Sequence, residues 1–230
     1  MIDAYSLSIM EGTSVLSFIR LFLLYLCLLI AAKSDFTKFM VKDKHWILFS
    51  PFAIILLFLD LIFLKSSLWN FFMIFVLISA AVTSLRIIPN IKNLNKFNLI
   101  NYLISSCYIL GFIGIVGGLV NYTEINYDSL ILGTESKDVM LWWSLLSTTL
   151  LIYFYIFVWK YGLIQGGADI KALIWTTLLI PSWTFLPQPY IYSTSYINKE
   201  EIIFQLPPSL VLFIWGSSIF IILPIIFLII

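Results

Sequence analysis

The chain has 230 residues, 61% of them hydrophobic and only 11% charged, with 13 Lys and Arg against 12 Asp and Glu; its mean hydropathy is +1.03. A soluble domain of this size carries about a quarter charged residues, so a water-soluble globule is excluded, and the near-zero net charge without a basic block gives no footing for nucleic acid. Two isolated cysteines, Cys27 and Cys107, and one histidine, His45, supply neither a disulfide framework nor a metal site, and no cofactor is expected.

The apolar residues fall in long runs, and ~20 such residues in a helix cross the hydrocarbon core. The expected fold is all-α: a single polytopic transmembrane helical bundle over residues 1–230, its partner solvent the lipid bilayer. Seven spans are predicted, at about 15–34, 46–64, 69–88, 98–120, 140–160, 169–186 and 208–230. The N-terminus lacks a basic segment followed by a small-residue cleavage site, so the first run reads as a retained span. It leads into a loop holding Lys33, Lys38, Lys42 and Lys44. The second run carries Asp60 near its far end, where snorkelling to the interface beside Lys65 is expected.

After the third run come Arg86, Lys92 and Lys96, and Lys160 and Lys171 bracket the loop after the fifth. These three loops share one side by parity and hold nine of the 13 basic residues. The positive-inside rule makes that side cytoplasmic and the N-terminus external, in a multi-pass protein of the cell membrane. Pro181 and the pair Pro187 and Pro189 are expected to end the sixth run. The seventh stops at Phe227-Leu228-Ile229-Ile230 without a polar anchor, from which a further cytoplasmic part, and another span, is expected.

Ionisable groups at membrane depth are costly and therefore informative. Asp35 closes the first span and Asp169 opens the sixth, both on the lysine-rich side, whereas Asp60 lies on the other. Asp35 and Asp169 can therefore meet, and Asp60 takes no part. Asp169 alone also reads as a helix N-cap. Asp35 sits at a helix C-terminus, where the macrodipole disfavours negative charge. Ahead of Asp169, Gln165-Gly166-Gly167-Ala168 removes bulk where a helix starts, which permits uncommon dihedrals or close approach of another chain. Two carboxylates held close share one proton: the ionised member activates water and the protonated one polarises a carbonyl. That chemistry is peptide hydrolysis by an aspartic dyad.

These residues resemble a family. Ser34-Asp35-Phe36, Lys38 and Val41-Lys42-Asp43-Lys44-His45-Trp46 are similar to the first catalytic segment of archaeal preflagellin and prepilin peptidases. Gly166-Gly167-Ala168-Asp169-Ile170-Lys171, ending at Pro181, resembles their second, the GxGD motif with its following lysine. The resemblance implies a type IV prepilin-peptidase-like aspartic endopeptidase with catalytic Asp35 and Asp169. Gly166, Gly167 and Lys171 would shape the site, Lys171 without an assigned role. Asp43 matches an acidic loop position and reads as solvated.

The implied partner is an archaellin or pilin-like precursor with a short basic leader and an apolar N-terminal helix. Because lysines ring the site, recognition is expected to rest on that helix, lying beside the first and sixth spans. Ala168 departs from the strict motif, and four spans lie between the aspartates where two are expected. The chain lacks a cysteine-rich loop and room for a fused methyltransferase, which favours the protease-only archaeal form. Two alternatives stay open: a presenilin or signal-peptide-peptidase relative, whose Tyr-Asp and Pro-Ala-Leu motifs are missing here, and a proton-coupled transporter using paired aspartates. A structural or assembly subunit is the remaining reading if the aspartates lie apart.

Overall fold

In lipid each backbone amide has to be satisfied within its own segment, so the apolar runs fold as helices. The computed structural model describes residues 14–85, 99–122, 135–163, 166–182, 185 and 208–229. Among these residues there are seven helices and no strand: α1 Ser14–Lys38, α2 Asp43–Phe63, α3 Leu68–Ser84, α4 Leu99–Asn121, α5 Lys137–Lys160, α6 Gly167–Leu179 and α7 Pro208–Ile229. Arg86, Lys92, Lys96, Gln165, Pro187 and Pro189 lie outside the described residues.

Four helices, α1, α2, α4 and α5, are long and apolar enough to cross a membrane. The apolar α3 has 17 residues, α7 is apolar over Pro208–Ser218, and α6 has only 13 residues. Seven expected spans thus correspond to seven helices, four of which combine the length and the composition of a membrane span over the described residues. The sixth ends at Leu179 rather than near 186, because Pro181 disfavours helical dihedrals at the residue before it. Ile180 accordingly takes φ −128° and ψ 79°.

The helix α6 is the hub of the bundle, packed by α1, α2, α3, α5 and α7, and Ile170, Ile174, Trp175, Leu178 and Leu179 are buried along it. Its apolar residues therefore face protein on every side. The peripheral α1 shows the opposite pattern. It buries Leu16, Arg20, Cys27 and Ala31 and exposes Val15, Phe18, Phe22, Tyr25 and Leu29, an apolar stripe at three- and four-residue spacing. Such a stripe faces lipid without penalty.

Close packing of α4 on α3 rests on small residues, as is usual where lipid supplies no hydrophobic drive. A Cβ on Gly111 would meet the Val76 backbone at 3.0 Å, and one on Gly114 would meet the Phe72 Cβ at 2.7 Å. At the same end of the bundle as the α2–α3 corner, Asp138 near the start of α5 accepts hydrogen bonds from the Ser66 hydroxyl (2.7 Å), the Ser67 amide (3.0 Å) and the Asn70 side chain (3.1 Å). Ser67 also bonds the Tyr122 hydroxyl at 2.6 Å. These contacts hold the end of α4 and the starts of α3 and α5 together, and leave the end of α1, start of α2, end of α5 and start of α6 at the other end.

Candidate active site

At that other end α1 runs four residues beyond its expected limit, so Asp35 lies inside its last turn. The Phe39 amide donates to the Asp35 carbonyl at 2.7 Å, and the Ser34 hydroxyl to the Met40 carbonyl at 3.1 Å. Phe39 has φ 52°, a left-handed conformation uncommon for a bulky residue, and it turns the chain toward α2. Below this corner the His45 Nε2 lies 3.1 Å from the Cys27 carbonyl and 3.3 Å from its sulfur, joining α2 to α1. Asp35 projects from the corner into an exposed position.

Asp169 occupies the first turn of α6, three residues after the N-cap, which is Gly166. It is therefore not the N-cap itself. Gly166 takes φ −77° and ψ 98°, and the only described glycine with positive φ is Gly162. The glycine pair is consequently not required for unusual dihedrals. It is required at Gly166 for close approach: the Asp169 Oδ2 occupies the space where a Cβ would stand. Gly167 is different, since a Cβ there would meet the Trp159 ring at an ordinary 3.4 Å.

The two carboxylates stand at one end of the bundle, Asp35 in the last turn of α1 and Asp169 in the first turn of α6. Asp169, like Asp35, is exposed as a residue. Among the described residues neither carboxylate has an ion-pair partner. Lys33, Lys38, Lys42, Lys44 and Lys160 are exposed around them.

Lys171 and Asp43, the two motif positions left without a role, form an ion pair with one another. Asp43 is the first residue of α2, where the helix dipole favours an acid, and not a free loop residue. The lysine is mostly buried, at 13% side-chain exposure, and its ammonium lies 5.8 Å from the Trp159 ring centroid. The pair ties the start of α6 to the start of α2 and sets the two motif segments side by side.

The expectation for Asp60 is overturned. It does not snorkel toward Lys65 but is fully buried and paired with Arg20 of α1. The reason is depth. Arg20 stands 15 residues before Asp35 and Asp60 17 residues after Asp43, so at 1.5 Å per residue both lie roughly 22–26 Å from the α1–α2 corner. Arg20 is the buried charge that sequence reasoning missed. The signal was present: an arginine within an apolar run and an aspartate at matching depth on the next, antiparallel run. Arg20 also donates to the Leu179 carbonyl at the end of α6, and its guanidinium lies 5.0 Å from the Phe185 ring centroid.

No group of three or more His, Cys, Asp or Glu among the described residues is placed to hold a metal ion. Comparison with protein-family models, with curated proteins and with solved structures finds no match to the chain.

Proposed function

We propose that this chain is a membrane-embedded aspartic endopeptidase that removes the short leader peptide from archaellin or type IV pilin-like precursors. One observation carries the reading: Asp35 in the last turn of α1 and Asp169 in the first turn of α6 stand exposed at the same end of the bundle, where the Asp43–Lys171 pair sets the starts of α2 and α6 side by side. In this reading all seven helices belong to one bundle in the cell membrane, with the N-terminus outside and the aspartates at the cytoplasmic face. The resemblance of both segments to archaeal prepilin peptidases supports the substrate class.

The ionised carboxylate takes a proton from water as its oxygen bonds to the scissile carbonyl carbon, and the protonated one gives its proton to the carbonyl oxygen. Collapse of the tetrahedral intermediate breaks the C–N bond: one of its hydroxyl protons returns to the second carboxylate, and the amine leaves with the proton held by the first carboxyl. Both aspartates are exposed at the end of the bundle, which suits hydrolysis at the interface better than a proton path enclosed at mid-bilayer. The precursor's apolar helix would lie on the outward stripe of α1. The interior position of α6 leaves it no comparable lipid-facing surface.

The test is a gel-shift assay of a tagged precursor coexpressed in membranes. Asp35→Asn and Asp169→Asn each abolish processing while insertion and helix content are retained. Cleavage at the unsubstituted rate by either variant refutes the dyad. Cysteines placed near residues 40 and 165 should label from the cytoplasm alone; labelling from opposite faces is incompatible with one shared site.

A further inference from the structure

The hub helix α6 is held at two points by charged side chains. At its start, Lys171 is paired with Asp43 of α2. At its end, Arg20 of α1 donates to the carbonyl of Leu179, one of the last-turn carbonyls that the helix itself leaves unsatisfied. The same guanidinium is paired with Asp60 of α2. Arg20 and Asp60 are both fully buried, so neither exchanges its partner for water.

A buried ion pair is weak evidence for stability, because desolvation offsets most of the Coulombic gain and well-packed apolar residues often do as well. What this pair adds is location. Its second acceptor is a main-chain carbonyl of the helix that carries Asp169, and Arg20 shares its own helix with Asp35. One side chain thus connects the two elements that bear the carboxylates, at the end of α6 away from them. The contact lies about 15 Å along α6 from Asp169 and about 22 Å along α1 from Asp35. The Asp60 carboxylate faces the guanidinium through Oδ2, while its Oδ1 is buried without a partner. The polar atoms here are therefore incompletely satisfied, and apolar residues can replace both side chains without unpairing any polar side-chain group.

We infer that Arg20 is a positioning residue: by linking α1, the end of α6 and Asp60, it sets the axial register of α6 against α1 and thereby the separation of Asp35 and Asp169. The inference rests on the proteolytic reading only for its functional consequence. The Asp43–Lys171 pair prevents the start of α6 from swinging away from α2, and Arg20 prevents the helix from sliding along α1. Neither contact suffices alone, because a helix pinned at one end still pivots.

The experiment measures separation and processing independently. Spin labels at Phe36→Cys, on an exposed residue of α1, and at Ala168→Cys of α6 report the distance by pulsed electron resonance. The background carries Cys27→Ser and Cys107→Ser and is first shown to insert and to process a tagged precursor. Processing rates are measured in unlabelled protein. In Arg20→Met/Asp60→Leu, which removes the charges together, helix content is retained while the distance distribution shifts or broadens. Processing falls ~100-fold, the loss typical of an ångström-scale misplacement. Arg20→Lys retains a charged donor for Asp60 and Leu179 and keeps the distribution narrow. A distribution in the double variant matching the unsubstituted protein overturns the inference, and so does a Lys variant as broad as the double one. A shifted distribution with unchanged processing upholds the positional role of Arg20 and refutes the Asp35–Asp169 dyad as the source of that processing.

Discussion

Two neighbouring glycines that look equivalent in the motif should respond in opposite ways to one added methyl group. At Gly166 the backbone, φ −77° and ψ 98°, is open to any L-residue. Alanine there restricts the unfolded chain and by itself stabilises by ~0.4–1 kcal/mol. The new Cβ, however, takes the place of the Asp169 Oδ2, and would stand 2.8 Å from the Asp169 Cγ and 3.4 Å from its Cβ. The carboxylate has to swing aside, and leaving its preferred rotamer costs ~0.5–1.5 kcal/mol. The two effects nearly cancel in stability. They do not cancel in catalysis. Moving Oδ2 from overlap to ordinary contact displaces it by more than an ångström, a shift that costs on the order of 100-fold in rate.

At Gly167 the added Cβ meets only the Trp159 Cζ2 at 3.4 Å, so Gly167→Ala leaves the carboxylate where it is. The assay is a time course of precursor cleavage by each variant, alongside thermal unfolding of the purified proteins in detergent. The expected outcome is slow cleavage and near-normal melting for Gly166→Ala, with normal cleavage and equal or higher melting for Gly167→Ala. Equal cleavage rates in the two variants would show that the Asp169 carboxylate is not required where it stands, and the site assignment would fall.

One more outcome follows from a particular set of contacts. Asp138→Ala removes the acceptor for the Ser66 hydroxyl, the Ser67 amide and the Asn70 side chain; it should destabilise by roughly 1.5–3 kcal/mol in thermal or denaturant unfolding, and cleavage per folded molecule should stay normal because the network lies at the far end from Asp35.

The number and order of the helices were legible in the chain because run length and composition decide them locally. A segment of about 20 apolar residues has one solution in lipid, and all seven predicted starts fall within three residues of the helix that forms. The earlier exception is informative about ends: α6 stops at Leu179 because of one proline, which cuts a predicted span to 13 residues. That Asp35 and Asp169 share one end of the bundle was also legible, since counting alternating runs requires no knowledge of packing. The glycine pair was legible as a place of low bulk, but its use was not. Whether a glycine serves a dihedral or a close approach depends on which atom comes near, and at Gly166 that atom belongs to Asp169.

What only the tertiary structure decided is which charge finds which. Asp60 stands five residues from Lys65 in sequence and pairs instead with Arg20, 40 positions away. Arg20 reaches Leu179 across 159 positions, and Lys171 reaches Asp43 across 128. Pattern along a chain fixes depth in a membrane, because rise per residue is constant. It does not fix azimuth or neighbour, which depend on how helices pack around one another. A buried charge in lipid has no water to fall back on, so its partner is whichever opposite charge or carbonyl the bundle brings to the same depth and face.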